Sequence, residues 1–177
     1  MIIRPPERPR ISKDDFVVFL AGPIQGTFDW QSQAIDYLSK RLLNSFNYSI
    51  SESNFHIASP RRLTIDTEFR TKKYNEQVDW ECFWLNRAAA NGVILFWLAN
   101  EDEHDCKRAF AQTTRFELSE WKYKYEQNKT DIALGIHKDF SGRRYIVYRF
   151  LKDCPEVPIH DTLEQTCDDA FGYYLPF

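Results

Sequence analysis

The sequence predicts an α/β fold, a three-layer sandwich around a five-stranded, mostly parallel sheet. Three observations carry this. Short, continuous apolar runs recur along the chain, as strands buried on both faces require. Amphipathic segments of helical length separate them, so the strands read as βαβ units. The 177 residues are 43% hydrophobic and 16% aromatic, enough to bury the core of one domain spanning residues 1–177.

The elements follow in order. Residues 1–14 read as an extended proline-rich tail. Phe16 to Ala21 (FVVFLA) is a first buried strand, broken by Gly22. Trp30, Ala34, Leu38 and Leu42 recur at four-residue spacing and predict a helix from Trp30 to Leu43. Phe55 to Ser59 is a second strand, stopped by Pro60. Arg61 to Tyr74 is polar and reads as a loop, and Asn75 to Ala89 as a second helix. Gly92 to Leu98 (GVILFWL) is the strongest strand. The acidic stretch Ala99 to Gln112 is a loop, and Thr114 to Gln127 a third helix. Ile132 to Ile136, and Arg144 to Phe150 after the turn at 139–142, complete the strands; His160 to Phe171 is the last helix. The expected strand order is 2-1-3-4-5, a flavodoxin-like (Rossmann-type) arrangement. Its ligand crevice opens beyond the carboxyl ends of strands 1 and 3. The Gly22 to Gly26 loop and the loop after Leu98 meet there.

Composition excludes several classes of function. A net charge of -3 argues against a surface for a nucleic-acid polymer. No apolar run approaches the roughly 20 residues that span a bilayer, and the first residues lack a signal-peptide core. A cytoplasmic protein with no membrane partner is expected. The four cysteines form no C-x-x-C pair and read as reduced thiols. His104-Asp105-Cys106 lies in an acidic run without a partner cluster at ligand spacing, so it reads as a solvated loop and no metal is expected.

The residues that could carry chemistry each admit a structural explanation. Gly22 and Gly26 bracket a loop whose backbone could approach a ligand closely, or simply turn the chain. Thr114-x-x-Glu117 matches a capping box, and spacing alone favours that role over a nucleophile. Asp79 and Glu81 stand two apart on a helix, so at most one faces a site. Arg61 and Arg62 could grip an anion bidentately or lie at the surface. Trp97, near a strand end, could touch a ligand or belong to the core.

Taken as an ordered set, these stretches resemble the nucleoside 2-deoxyribosyltransferase-like family. The matching segments are Phe19-Leu20-Ala21-Gly22-Pro23-Ile24-Gln25-Gly26 with Asp29-Trp30, Ser59-Pro60-Arg61-Arg62, Gln77-Val78-Asp79-Trp80-Glu81, the strand 93–98, and Thr114-Arg115-Phe116-Glu117-Leu118. The resemblance implies a glutamate nucleophile, here Glu117, assisted by a second acid, Glu81 or Asp79. It places Gly22, Pro23, Ile24, Gln25, Gly26, Asp29, Trp30, Arg61, Trp97 and Thr114 about the substrate, a small-molecule nucleoside or nucleotide. It implies cleavage or transfer at an N-glycosidic bond, no cofactor, and a homo-oligomer. A nucleoside-monophosphate N-glycoside hydrolase and a non-catalytic nucleotide-binding module are the alternatives on the same fold. The chain departs from the family pattern at Ser119, where glycine is usual, and at Ala111, where transferases often carry aspartate. Pro23 and Gln25 stand where the monophosphate hydrolases carry serine and arginine, which points to an unphosphorylated substrate.

Overall fold

The computed structural model describes residues 1–45, 54–62, 71–107, 109–127 and 130–175, with backbone alone at 71 and 72. Among the described residues eleven elements follow one another, strands and helices alternating from β2 onward: β1 (Ile2–Ile3), β2 (Phe16–Ala21), α1 (Trp30–Asn44), β3 (Phe55–Ala58), α2 (Thr71–Ala90), β4 (Gly92–Leu98), α3 (Gln112–Glu126), β5 (Ile132–Ile136), α4 (Arg143–Asp153), β6 (Ile159–His160) and α5 (Leu163–Gly172). Every strand pairing is parallel, in the order β1-β3-β2-β4-β5-β6. The predicted 2-1-3-4 succession is therefore present as β3-β2-β4-β5, within a flavodoxin-like three-layer fold.

Both faces of the central strands are buried, and their side chains divide by the period of two that a pleated strand imposes. On β4, Val93, Leu95 and Trp97 join the α1 and α5 side with Trp30, Leu38 and Phe171. Ile94, Phe96 and Leu98 join the other side, with Trp80 and Trp84 of α2, Leu118 and Trp121 of α3 and Phe150 of α4. Right-handed crossovers account for the split, because the step from β3 across β2 to β4 throws α2 onto the face opposite α1.

Three expectations are corrected. Arg144 to Phe150 is not a strand but part of α4. Its Tyr-Ile-Val-Tyr composition favours a strand locally. The chain nevertheless has to cross over after β5, and a helix buries Phe150 while Ile146 and Val147 pack on the same cluster. The sheet has six strands, not five, because Ile2–Ile3 and Ile159–His160 occupy its two edges. Residues 1–14 are thus no free tail: Ile57 and Ser59 donate amides to the Met1 and Ile3 carbonyls at 2.9 Å. Helix boundaries also move: α2 begins at Thr71 and α3 at Gln112. Part of the expected loop Arg61 to Tyr74, residues 63–70, lies outside the described residues. Among the described residues, no helix is long and apolar enough to cross a membrane.

Candidate active site

The loops after β2 and β4 meet at the carboxyl edge of the sheet. The Gly26 carbonyl accepts the amides of Asp102 (2.8 Å) and Glu103 (3.2 Å), and Asp102 Oδ2 accepts the Phe28 amide at 2.8 Å. Gly26 has φ +75°, and an added Cβ would lie 2.9 Å from the Glu103 carbonyl oxygen. A side chain is therefore excluded by both conformation and space. At Gly22 the reason is close packing: a Cβ would lie 2.3 Å from the Trp97 carbonyl oxygen and 2.6 Å from the Trp30 ring. The Pro23 carbonyl accepts the Trp30 indole N–H at 2.7 Å and the Gln31 amide at 3.3 Å. Asp29 caps α1 by accepting the Ser32 amide at 3.1 Å.

Arg61 and Arg62, adjacent in sequence, diverge from the end of β3. Arg61 braces the glycine loop, donating Nη2 to the Ile24 carbonyl at 2.8 Å and Nε to Gln31 Oε1 at 3.0 Å, and forming an ion pair with Asp29 at 3.0 Å. Arg62 turns the other way, donating Nε to Gln77 Oε1 at 2.9 Å. Gln77 donates in turn to the Pro60 carbonyl at 3.0 Å and to Glu81 Oε1 at 2.8 Å. Glu81 is half-buried, and desolvation raises its pKa against the opposing effects of Gln77 and Arg62.

Glu117 faces α2 from α3. Thr114, Glu117, Leu118 and Trp121 share one stripe of the helix, and three of these four side chains are buried. The capping box does not form. Ala111 is the N-cap residue, which puts Thr114 inside the first turn and Glu117 in the second. Glu117 is half-buried, and among the described residues no hydrogen bond reaches its carboxylate. Burial first, then the charges of Glu81 and Glu120, push its pKa up to about 8. Lys124 partners Glu120 (2.6 Å) rather than Glu117. Cys82, on α2, registers the same concentration of charge. Desolvation raises its thiol pKa, and Glu120, Glu81, Glu117 and Asp79 add to the shift.

The structure thus brings Glu117 and Glu81 together as a desolvated, mutually repelling pair, while Asp79 is solvent-exposed on α2. Pro23, Trp30 and Thr114 are buried. Trp97 is 3% exposed and packs on the α1–α5 face, across the sheet from the two glutamates. Sequence reading gives no role to Gln31, nor to Gln77 beyond its place in a matching segment. Uncharged glutamines on helices carry little compositional information, although Gln77 stands four residues before Glu81, the spacing at which helix side chains meet. Ser119 fits α3 without strain because its hydroxyl donates to the Arg115 carbonyl at 3.0 Å.

Two buried or half-buried carboxyls that share charge, at the carboxyl edge of a parallel sheet, suit acid and nucleophile work at one carbon. No curated protein matches the chain. A family model described as nucleoside 2-deoxyribosyltransferase like matches residues 15–139, a span that holds the glycine loop, both arginines, Gln77, Glu81 and Glu117. The chain belongs to the nucleoside 2-deoxyribosyltransferase-like family, whose general role is glycosyl transfer on nucleosides.

Proposed function

We propose that the protein cleaves or transfers the N-glycosidic bond of a (deoxy)nucleoside through a covalent glycosyl–Glu117 intermediate. The observation that carries this reading is the Glu81–Glu117 pair, in which Glu117 has no hydrogen-bond partner among the described residues and its pKa is raised by burial and by Glu81. Such a pair holds a single proton more readily than two charges or none. One proton over two carboxyls is what the reaction needs. In the free protein that proton rests on Glu117, whose pKa is the higher. As substrate binds it passes to Glu81, and the ionised Glu117 oxygen attacks C1′ as the C1′–N bond breaks, the bonding electrons leaving with the base. Glu81 gives its proton to the departing nitrogen. Water, or the N–H of a second base, then attacks C1′ and releases Glu117, and Glu81 recovers the proton. Glu81 takes the acid role over Asp79 because it alone is desolvated and held by a donor.

The substrate is read as unphosphorylated. Arg61, which reaches into the glycine loop, already commits Nε and Nη2 within the chain. By analogy with its family the protein acts as a homo-oligomer. Large exposed aromatics stand on α2, α3 and α4, among them Phe83 (47%), Phe116 (74%) and Tyr145 (65%), and would suit an interface between copies.

Incubation with a panel of deoxynucleosides and their monophosphates, with and without a second free base, tests the reading. Free base alone identifies a hydrolase, and an exchanged nucleoside identifies a transferase. Release from monophosphates only would replace the unphosphorylated substrate, while binding without release would make the protein a nucleotide-binding module. Glu117→Ala is expected to abolish turnover with the fold intact, Glu81→Gln to lower kcat by about 10²- to 10⁴-fold, and Asp79→Asn to change little. An active Glu117→Ala variant removes Glu117 from the nucleophile role.

A further inference from the structure

We propose that Gln77 is a positioning residue that dictates which oxygen of Glu81 carries its exchangeable proton. The hydrogen-bond pattern fixes the orientation of the Gln77 amide independently at both ends. Arg62 Nε can only donate, so the atom 2.9 Å from it is the amide oxygen. The Pro60 carbonyl can only accept, so the atom 3.0 Å from it is the amide nitrogen. With both ends satisfied, the amide has one way to meet Glu81: Nε2 donates to Oε1 at 2.8 Å. Oε1 is thereby held as an acceptor, and the proton of neutral Glu81 goes to Oε2. In the reaction, Oε2–H would donate to the base nitrogen as the C1′–N bond breaks, and Oε2 would take a proton back from the incoming water or base.

The side chain has no evident local reason to be a glutamine. It lies on a helix, four residues from Glu81, where an apolar residue would pack and a charged one would solvate. Its three bonds instead join the β3–α2 loop to the acid, so the carboxyl is clamped from the strand end as well as from its own helix. Of the described charged groups, Arg62 on that loop acts on Glu81, which in turn acts with Glu120 of α3 on Glu117; all three glutamates and Asp79 of α2 act on the neighbouring Cys82. Gln77 and Arg62 favour its ionised form, while burial opposes it. The catalytic consequence rests on the glycosyl-transfer reading, but the consequence for titration does not.

The test is carbon-13 NMR titration of the Glu81 carboxyl in the substrate-free protein, assigned by its loss in Glu81→Gln, for the wild type and for Gln77→Met. Removing the donor is expected to move the Glu81 midpoint to higher pH. In kinetics, the alkaline limb of the kcat profile should move the same way, with kcat down by about 10- to 100-fold and KM little changed. A merely structural role would lower Tm and leave the Glu81 midpoint in place, and that result overturns the proposal. Gln77→Asn, polar but one methylene too short to span Arg62, Pro60 and Glu81 together, reads the same midpoint if the methionine variant fails to fold. A midpoint shifted by Gln77→Met, together with a wild type that turns over no nucleoside, would end the glycosyl-transfer reading and leave the positioning role standing. Turnover with an unshifted midpoint would do the reverse.

Discussion

The two faces of the sheet are covered alike and built differently. On the α1–α5 face, polar groups serve the packing. Trp30 is fully buried and gives its indole N–H to Pro23, and Phe55 and Tyr174 meet edge-on at 4.9 Å. On the α2–α3 face, the hydrophobic cluster around Trp80, Trp84 and Trp121 is as well buried, yet two glutamates lie beside it with charges that repel. Like charges in a desolvated setting destabilise the fold. The face that keeps such a pair is the one on which chemistry is expected, whereas the opposite face shows what the same sheet does when packing alone is at stake.

The largest expected effect breaks the packed face. Trp30→Ala removes a fully buried indole, its bond to Pro23 and the wall against Gly22. A loss of about 3–5 kcal/mol in chemical denaturation is expected. Phe116→Ala, at 74% exposure on the other face, should stay within about 0.5 kcal/mol. Comparable losses from the two variants would mean that Phe116 is covered in solution.

This contrast also explains what could be read without coordinates. Buried runs such as FVVFLA and GVILFWL have one physical explanation, and the stripe Trp30, Ala34, Leu38 another, so the central strands and α1 were legible. The edge strands β1 and β6 have two residues each, too few for any periodicity to declare them. In α4, β-branched and aromatic residues favour a strand locally while the crossover demands a helix, and tertiary context prevails. Glu117 and Glu81 were visible as acids at plausible places. Their mutual desolvation was not, because it depends on the spacing between α2 and α3. Of the two readings open for Trp97, the alternation along β4 favours the core, because it decides which face the ring joins.

A smaller effect sharpens the comparison through pH. Glu117 has its pKa raised from 4.5 to about 8 in the folded chain. Its contribution to stability is therefore fully present below about pH 4.5 and is lost as pH rises through about 8. Glu117→Gln should flatten that decline and stabilise the protein at pH 8 and above by about 1–2 kcal/mol. The acid side belongs to another part of the sheet. Asp15, hydrogen-bonded to His56 at 3.0 Å, has its pKa lowered chiefly by that bond. Its stabilisation is present above pH 3.8 and is lost as pH falls through the lowered value, so Glu117→Gln should leave the acid limb unchanged. Thermal melts of both proteins across this range measure the two limbs separately. An alkaline slope that persists in Glu117→Gln would place the destabilising charge elsewhere.

The smallest effect concerns how α3 starts. Ala111 is the one described non-glycine residue with positive φ, at φ 54° and ψ 32°, and it has no side-chain bond with which to cap the helix. A β-carbon in the left-handed region costs about 1–2 kcal/mol, and strain of this kind gathers near functional sites. Glycine would remove that cost and gain conformational freedom in the unfolded chain, leaving a net stabilisation of about 0.5 kcal/mol for Ala111→Gly. The denaturation midpoint should rise slightly while the Glu117 titration stays where it was. The pair depends on the packing of α3 against α2, and not on the torsion that precedes the helix. If relaxing Ala111 lowers the Glu117 pKa, the strained turn is itself what holds the carboxylate against α2, and the division between a packed face and a chemical face extends into the loop that joins β4 to α3.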